Sequence, residues 1–199
     1  AAQGLKVGLL DADIYGPSQP RMMGLSGRPA SPDGKIILPL KAHGVTAMSI
    51  GLMMQEGQAV VWRGPMLMGA LQQMLGQVQW GELDYLLIDM PPGSDRMDNI
   101  RDLVPELDGI VEITIPSNVS QHIVTKSITK NSSIGIPIIG LVENMATYVC
   151  PHCNEEGELF DGQDTKQLAK NKGIPFLGSV PFDTRVSRKT EAGNLFYSE

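Results

Sequence analysis

Cysteine is nearly absent from this sequence: Cys150 and Cys153 are the only two in 199 residues. Two thiols cannot build the disulfide framework of a secreted domain of this size, which points to a reducing, cytoplasmic setting. Long apolar runs are missing as well. Every hydrophobic stretch falls far short of the roughly 20 residues that a membrane helix needs, so no membrane association is expected. No positively charged, apolar signal segment opens the chain. Dense Lys/Arg runs are lacking and the formal net charge is −6, so nothing marks a nucleic-acid track. There is neither an internal repeat nor a low-complexity tract. Hydrophobic residues at 42% and charged residues at 19% are the balance of an ordinary globular protein. The length allows a real core, and residues 1–199 read as a single domain.

An initiator methionine is also missing. "AAQGLKVGLLDAD" reads as the tail of a helix, a stop at Gly4 and a buried strand from Lys6 to Leu10. The expectation is a fragment whose first β-loop-helix unit lies upstream.

Apolar runs bounded by turn signals follow: "KVGLL", "DYLLID", "GIVEITI", "IPIIGLVEN" and "PFLGSVP". They are continuous rather than alternating, which predicts parallel strands buried on both faces. Helix-length segments separate several of them. Pro65 suits a first helical position, and Met66, Met68, Ala70, Leu71, Met74, Leu75 and Val78 are expected along one face. Ser117 and Asn118 suit the cap of a helix running to about Ser133, and Thr165 to Lys172 is a third helix. This alternation predicts an α/β fold: a doubly wound, mostly parallel sheet with helices on both faces and sites at the carboxyl ends of its strands. The Met residues between Met48 and Met68 are expected in the core. Residues 24–44, rich in Gly and Pro, read as a surface excursion.

Carboxylates sit where this fold places chemistry. Asp11 and Asp13 follow the first strand in "LLDADIYGPS", and Asp89 ends another in "LLIDMPPGS". Acidic side chains at strand ends hold Mg²⁺ through water, and a following glycine lets a backbone N–H approach a phosphate. Asp and Pro-Gly also simply close strands as turns. Two such motifs on one sheet favour a nucleotide–Mg²⁺ site. The thiols form the other candidate centre. Cys150 and Cys153 make a C-x-x-C pair in the 147–158 loop, whereas a closed zinc or iron–sulfur site takes four ligands. His152 between them reads as a solvated loop residue. A thioredoxin-like redox pair opens a helix near the start of its fold, while this pair follows a late strand.

"GLLDADIYGPSQPRMMGL", "VVWRGPM", "WGELDYLLIDMPPGS", "LVENMATYVCPHC" and "PFLGSVPFD" together resemble the Mrp/ApbC family of P-loop ATPases. These are relatives of the MinD and nitrogenase iron-protein group that carry iron–sulfur clusters to apoproteins. The resemblance implies an ATP-dependent carrier acting as a homodimer. Cys150 and Cys153 of two copies would share a bridging [4Fe-4S] cluster, passed on to recipient iron–sulfur apoproteins. It implies that Asp13 positions the attacking water, that Asp11 supports Mg²⁺, and that Asp89 is the Walker-B-type carboxylate. Gly93 matches the glycine whose N–H reports the γ-phosphate, Asn144 the asparagine on the adenine edge, and Pro181 and Asp183 the loop flanking the base. Arg63 in "WRGP" suits a contact to phosphate or to a partner's carboxylate, or a solvated surface position.

Two departures stand beside the resemblance. No Gly- and Lys-rich phosphate loop occurs in these residues, so the chain alone is expected to be inactive as an ATPase. After Asp89, "PPGSD" is one residue shorter than the family's switch segment. Two other readings stay open: a zinc-bridged dimeric scaffold without ATPase activity, which needs the thiols and not the carboxylates, and a MinD/ParA-type positioning ATPase, which needs the carboxylates and not the thiols.

Overall fold

The structure is a computed structural model that describes residues 1–54, 64–92, 97–150, 152–153 and 155–194, without the side chains of residues 64 and 65. Gly93 and Arg63 lie outside the described residues, as does the shortened segment after Gly93. The chain forms two compact units, residues 1–92 with 185–199, and residues 93–184.

The first unit is built on the strands β1 (Val7–Asp11), β2 (Leu40–Ala42), β3 (Val45–Ser49) and β4 (Tyr85–Asp89) in the order β2-β3-β1-β4. β3, β1 and β4 run parallel, and β2 returns antiparallel to β3. The short helix α1 (Gln19–Met22) follows β1, with a proline in its first turn. Helix α2 (Gly64–Gly76) precedes β4. Its buried stripe is Leu67, Ala70, Leu71 and Met74, at the i, i+3, i+4, i+7 spacing of an amphipathic helix. Met66, expected on that face, is 52% exposed. The expected methionine core is likewise corrected: Met48 is buried in β3, whereas Met53 and Met66 are exposed. Their flexible thioethers tolerate either environment, so type alone does not assign them. The excursion of residues 24–44 is partly ordered by pairing, through β2 and bridges from Ala30 to Leu38 and from Ile37 to Val78. Residues 1–4 form a turn rather than a helix end, with Gly4 at φ +83° accepted by its lack of a side chain.

The second unit carries helix α3 (Met97–Leu103) and the strands β5 (Ile110–Thr114), β6 (Ile138–Val149), β7 (Glu156–Gly157) and β8 (Phe176–Phe182). β6 is central, parallel to β5 and β8, and antiparallel to β7. Helix α4 (Asn118–Ser133) is capped by the Ser117 hydroxyl, which accepts from the Ser120 N–H. Helix α5 (Thr165–Lys172) is capped by Asp164, which accepts from Lys166 N and Gln167 N, and ends on Gly173 in the left-handed region. Val124 and Ile128 of α4, Leu141 of β6 and Ala169 of α5 form the core of this unit. Helix α6 (Thr184–Glu191) belongs from residue 185 on to the first unit, where Arg21 pairs with Glu191.

The α/β class with mostly parallel sheets is as expected. Burial of every strand on both faces is not. Tyr85 and Leu87 of β4 are more than half exposed, as is Ile113 of β5. β4 and β5 each end their own sheet, so the side chains there lack neighbours on one side.

Candidate functional site

Parallel pairing lines up three strand ends in the first unit. Asp11 of β1 is in register with Ser49 of β3 on one side and with Asp89 of β4 on the other. A strand's side chains alternate faces, so residues in register point the same way. Ser49, Asp11 and Asp89 therefore form a row at the carboxyl edge of the sheet. Asp11 is fully buried. Its Oδ1 accepts from the Asp13 N–H at 3.2 Å, and its Oδ2 accepts from the Gln19 N–H at 3.2 Å and the Ser49 hydroxyl at 3.1 Å. Burial pushes the Asp11 carboxyl above its ordinary range. The donors from Gln19, Ser49 and Asp13 pull it back in part, and the neighbouring Asp89 charge adds to the rise. Asp89 is half-buried, and its Oδ2 accepts from the Gln19 side-chain Nε2 at 2.6 Å.

Asp13 sits in the loop that β1 feeds. Its Oδ1 accepts from Tyr15 N and Gly16 N, both at 3.1 Å, which is turn chemistry of the Asx type. Its Oδ2 receives no hydrogen bond from a described residue. The carboxylate is thus held by one oxygen and presents the other.

In the second unit, Asn144 of β6 is in register with Val180 of β8, the residue that precedes Pro181. Its Oδ1 accepts from the Met145 N–H at 2.9 Å. Met145 itself adopts φ +55°, a left-handed conformation that a methionine rarely takes. The register between β6 and β8 shifts over this stretch, between Asn144 and Tyr148. Asp183 follows β8 directly and is partly buried.

The thiols sit in the hairpin between β6 and β7. Tyr148 pairs with Gly157 and Val149 with Glu156, and the Cys150 N–H donates to the Glu155 carbonyl at 2.9 Å. The Tyr148 and Phe182 rings, 6.0 Å apart, brace the hairpin base against β8. Cys150 is partly buried, Cys153 is exposed, and both are free thiols. The Cys153 and His152 backbone N–H groups, and then the Cys153 side chain, lie around the Cys150 sulfur and hold its pKa below the ordinary thiol value. The Cys153 thiol also points to Glu155 Oε2 at 3.7 Å. A hairpin tip presents this pair, not a helix N-terminus as in a thioredoxin-like site.

The donor sets suit two kinds of metal. Asp11, Asp89 and the Ser49 hydroxyl are hard oxygen donors, and one or two carboxylates completed by water and phosphate are what Mg²⁺ takes. Two thiolates suit iron or zinc. Among the described residues no three His, Cys, Asp or Glu side chains gather closely enough to hold a metal by themselves. The thiol pair supplies two of the four donors that a closed site takes. Sequence reading missed Gln19 and Ser49. Ser49 becomes visible only once "VTAMS" is known to be a strand in register with β1, and Gln19 only once α1 folds its side chain back to β4.

A family model described as "ParA: NUBPL iron-transfer P-loop NTPase" matches residues 1–199. A protein of Helicobacter pylori named "Iron-sulfur cluster carrier protein" is 45% identical over 184 residues, 91% of this chain and 50% of that protein. One of the same name from Haemophilus influenzae is 40% identical, covering 97% of this chain and 52% of that protein. The chain thus spans about half the length of these curated relatives. Among solved structures, a nucleotide-binding protein of Archaeoglobus fulgidus in complex with ADP is similar with a TM-score of 0.81 at 34% identity, over 98% of this chain and 76% of that one. The septum site-determining protein MinD of Pyrococcus horikoshii shares the fold, with a TM-score of 0.63 at 17% identity over 98% of this chain and 76% of that one. A family model that matches every residue from 1 to 199 carries the assignment: the chain belongs to the NUBPL iron-transfer P-loop NTPase family.

Proposed function

We propose that this chain is the nucleotide-binding domain, residues 1–199, of an ATP-dependent iron–sulfur cluster carrier. Its cargo is a [4Fe-4S] cluster bridged between two copies by Cys150 and Cys153 of each and handed to recipient apoproteins. The observation that carries this reading is the hairpin between β6 and β7, which sets two free thiols in C-x-x-C spacing, one partly buried and one exposed, where a cluster takes four thiolates. Relatives named as cluster carriers support it.

The carboxylates would serve the nucleotide. Asp89 would face Mg²⁺, Asp11 would support it from the buried side, and Asp13 would orient the attacking water with the oxygen its turn leaves open. Asn144, with Pro181 and Asp183, would flank the adenine, and Gly93 would report the γ-phosphate. The phosphate cradle itself must come from a glycine- and lysine-rich loop, which this sequence does not contain. Among the described residues no helix is long and apolar enough to cross a membrane. A cytoplasmic setting belongs to the same proposal.

Anaerobic reconstitution with iron and sulfide tests the proposal. The expected product is a brown dimer with about two irons and two sulfides per chain. Cys150→Ser or Cys153→Ser each removes two of the four ligands in the dimer and is expected to abolish stable loading. Unchanged iron content and charge-transfer absorbance in the double variant would overturn the bridging arrangement. Zinc without sulfide at half an ion per chain would favour the scaffold reading instead.

A further inference from the structure

One residue holds both strand-end carboxylates. The Gln19 backbone N–H donates to Asp11 Oδ2, and its side-chain Nε2 donates to Asp89 Oδ2 at 2.6 Å. The two bonds differ in kind. The first is anchored by the backbone where α1 begins, whereas the second is made by a carboxamide on a flexible, half-buried stem. Asp11 has further donors in Ser49 and Asp13, but among the described residues the Gln19 amide is the one side-chain donor to Asp89. The ion pairs between described residues join Lys6 to Glu82, Arg21 to Glu191 and Lys130 to Asp98, so no Lys or Arg in them neutralises either aspartate.

A carboxamide NH₂ is the positive end of a dipole and a donor only. It therefore occupies the lone pair that a divalent cation, or a water bound to that cation, would draw on. We propose that the Gln19 side chain is a placeholder for the divalent cation at Asp89. It keeps Oδ2 oriented and paired in the cation-free protein and swings away when the cation arrives, while the Gln19 backbone N–H keeps Asp11 in place throughout. Gln19 is in this sense a positioning residue that sets cation affinity by competition. The inference rests on Asp89 being the cation-side carboxylate.

Manganese alone, titrated into the 199-residue chain and followed by loss of the free-ion paramagnetic resonance signal, tests it. Gln19→Met keeps the side-chain length and removes the donor. It is expected to bind Mn²⁺ about tenfold more tightly, the lower end of what a hydrogen bond to a charged group contributes. Gln19→Ser, a smaller side chain that cannot span the distance, is expected to show the same increase should Met disturb α1, as judged by circular dichroism. Asp89→Asn is expected to remove binding in both the wild-type and Gln19→Met backgrounds. Unchanged or weaker Mn²⁺ binding in the Gln19 variants, with Asp89→Asn still abolishing it, would overturn the placeholder and leave the cation reading standing. Binding indifferent to Asp89→Asn, or absent from every variant, would overturn the cation reading and the placeholder with it.

Discussion

Asp11 shows what a buried carboxylate costs a small site. It is fully buried, and burial raises its pKa above the ordinary 3.8 despite three donors. A raised folded-state pKa means that the native state holds the proton more tightly than the unfolded chain. The associated stability is therefore fully present below the unfolded value and is lost as pH rises through the folded one. Asp11→Asn removes this dependence. Thermal melts between about pH 4 and pH 7 are expected to show the variant gaining on the wild type as pH rises. A constant difference across that range would mean that Asp11 does not titrate as its burial requires. Asp13 and Asp89 divide differently. In a form carrying a phosphate loop, Asp13→Ala is expected to slow ATP hydrolysis by about 10²-fold or more with ATP still bound, because it removes water positioning and not the cradle. Asp89→Ala is expected to weaken Mg²⁺-dependent nucleotide binding as well. Small and equal effects of the two substitutions on hydrolysis and binding would reduce both to turn residues.

Helix α4 and the loop before α5 illustrate how elements of the second unit lock together. Gln121 of α4 donates to the Gln163 carbonyl at 2.5 Å and to the Thr165 hydroxyl at 3.0 Å. Gly162 lies so close to the Pro116 carbonyl and the Ser117 N–H that any Cβ there would collide with backbone. Backbone cannot step aside as a flexible side chain can. Gly162→Ala is expected to lower stability by about 1–3 kcal/mol, the range for overpacking, and to disturb the Ser117 cap. Denaturant unfolding checks this, and a loss under half a kcal/mol would show that the loop shifts without cost. Apolar strands were legible here through continuous runs, and α4 and α5 through their caps. β2 and β3 were not, because β2 spans only Leu40–Ala42 and the burial of β3 comes with pairing to β1, which no local pattern announces. The stripe of α2 was misplaced by one residue, since Met66 and Leu67 are equally apolar and only packing selects Leu67.

At the scale of the whole molecule, Asp11 and Asp89 in register, with Asp13 in the loop after β1, bring like charge to the edge where the proposed nucleotide phosphates belong, and the sequence holds no Gly/Lys loop to counter them. Neutral contacts such as those proposed for Asn144 contribute only about 0.5–1.5 kcal/mol each and cannot offset that repulsion. Residues 1–199 alone are expected to bind Mg-ATP far more weakly than a longer form with such a loop, and to hydrolyse essentially none. Isothermal titration of both decides it; equal affinities would mean that the phosphates bind elsewhere. The apolar edges of β4 and β5, with Leu87 55% and Ile113 62% exposed, are the other liability at this scale, because unpaired strands recruit further strands. The longer form is expected to melt higher and to bind less of a hydrophobic dye.

By itself the sequence determined the α/β class, the thiol pair and the strand-end aspartates, because continuous apolar runs, capping residues and C-x-x-C spacing are local features that survive without a fold. Tertiary structure alone decided the rest. Parallel register set Ser49, Asp11 and Asp89 in one row, the return of α1 brought the Gln19 amide to Asp89, and the β6–β7 pairing folded Cys150 back onto Glu155. Each of these joins residues through pairing or a chain reversal, and the free energy that selects such contacts comes from burial and hydrogen bonding of partners distant in sequence.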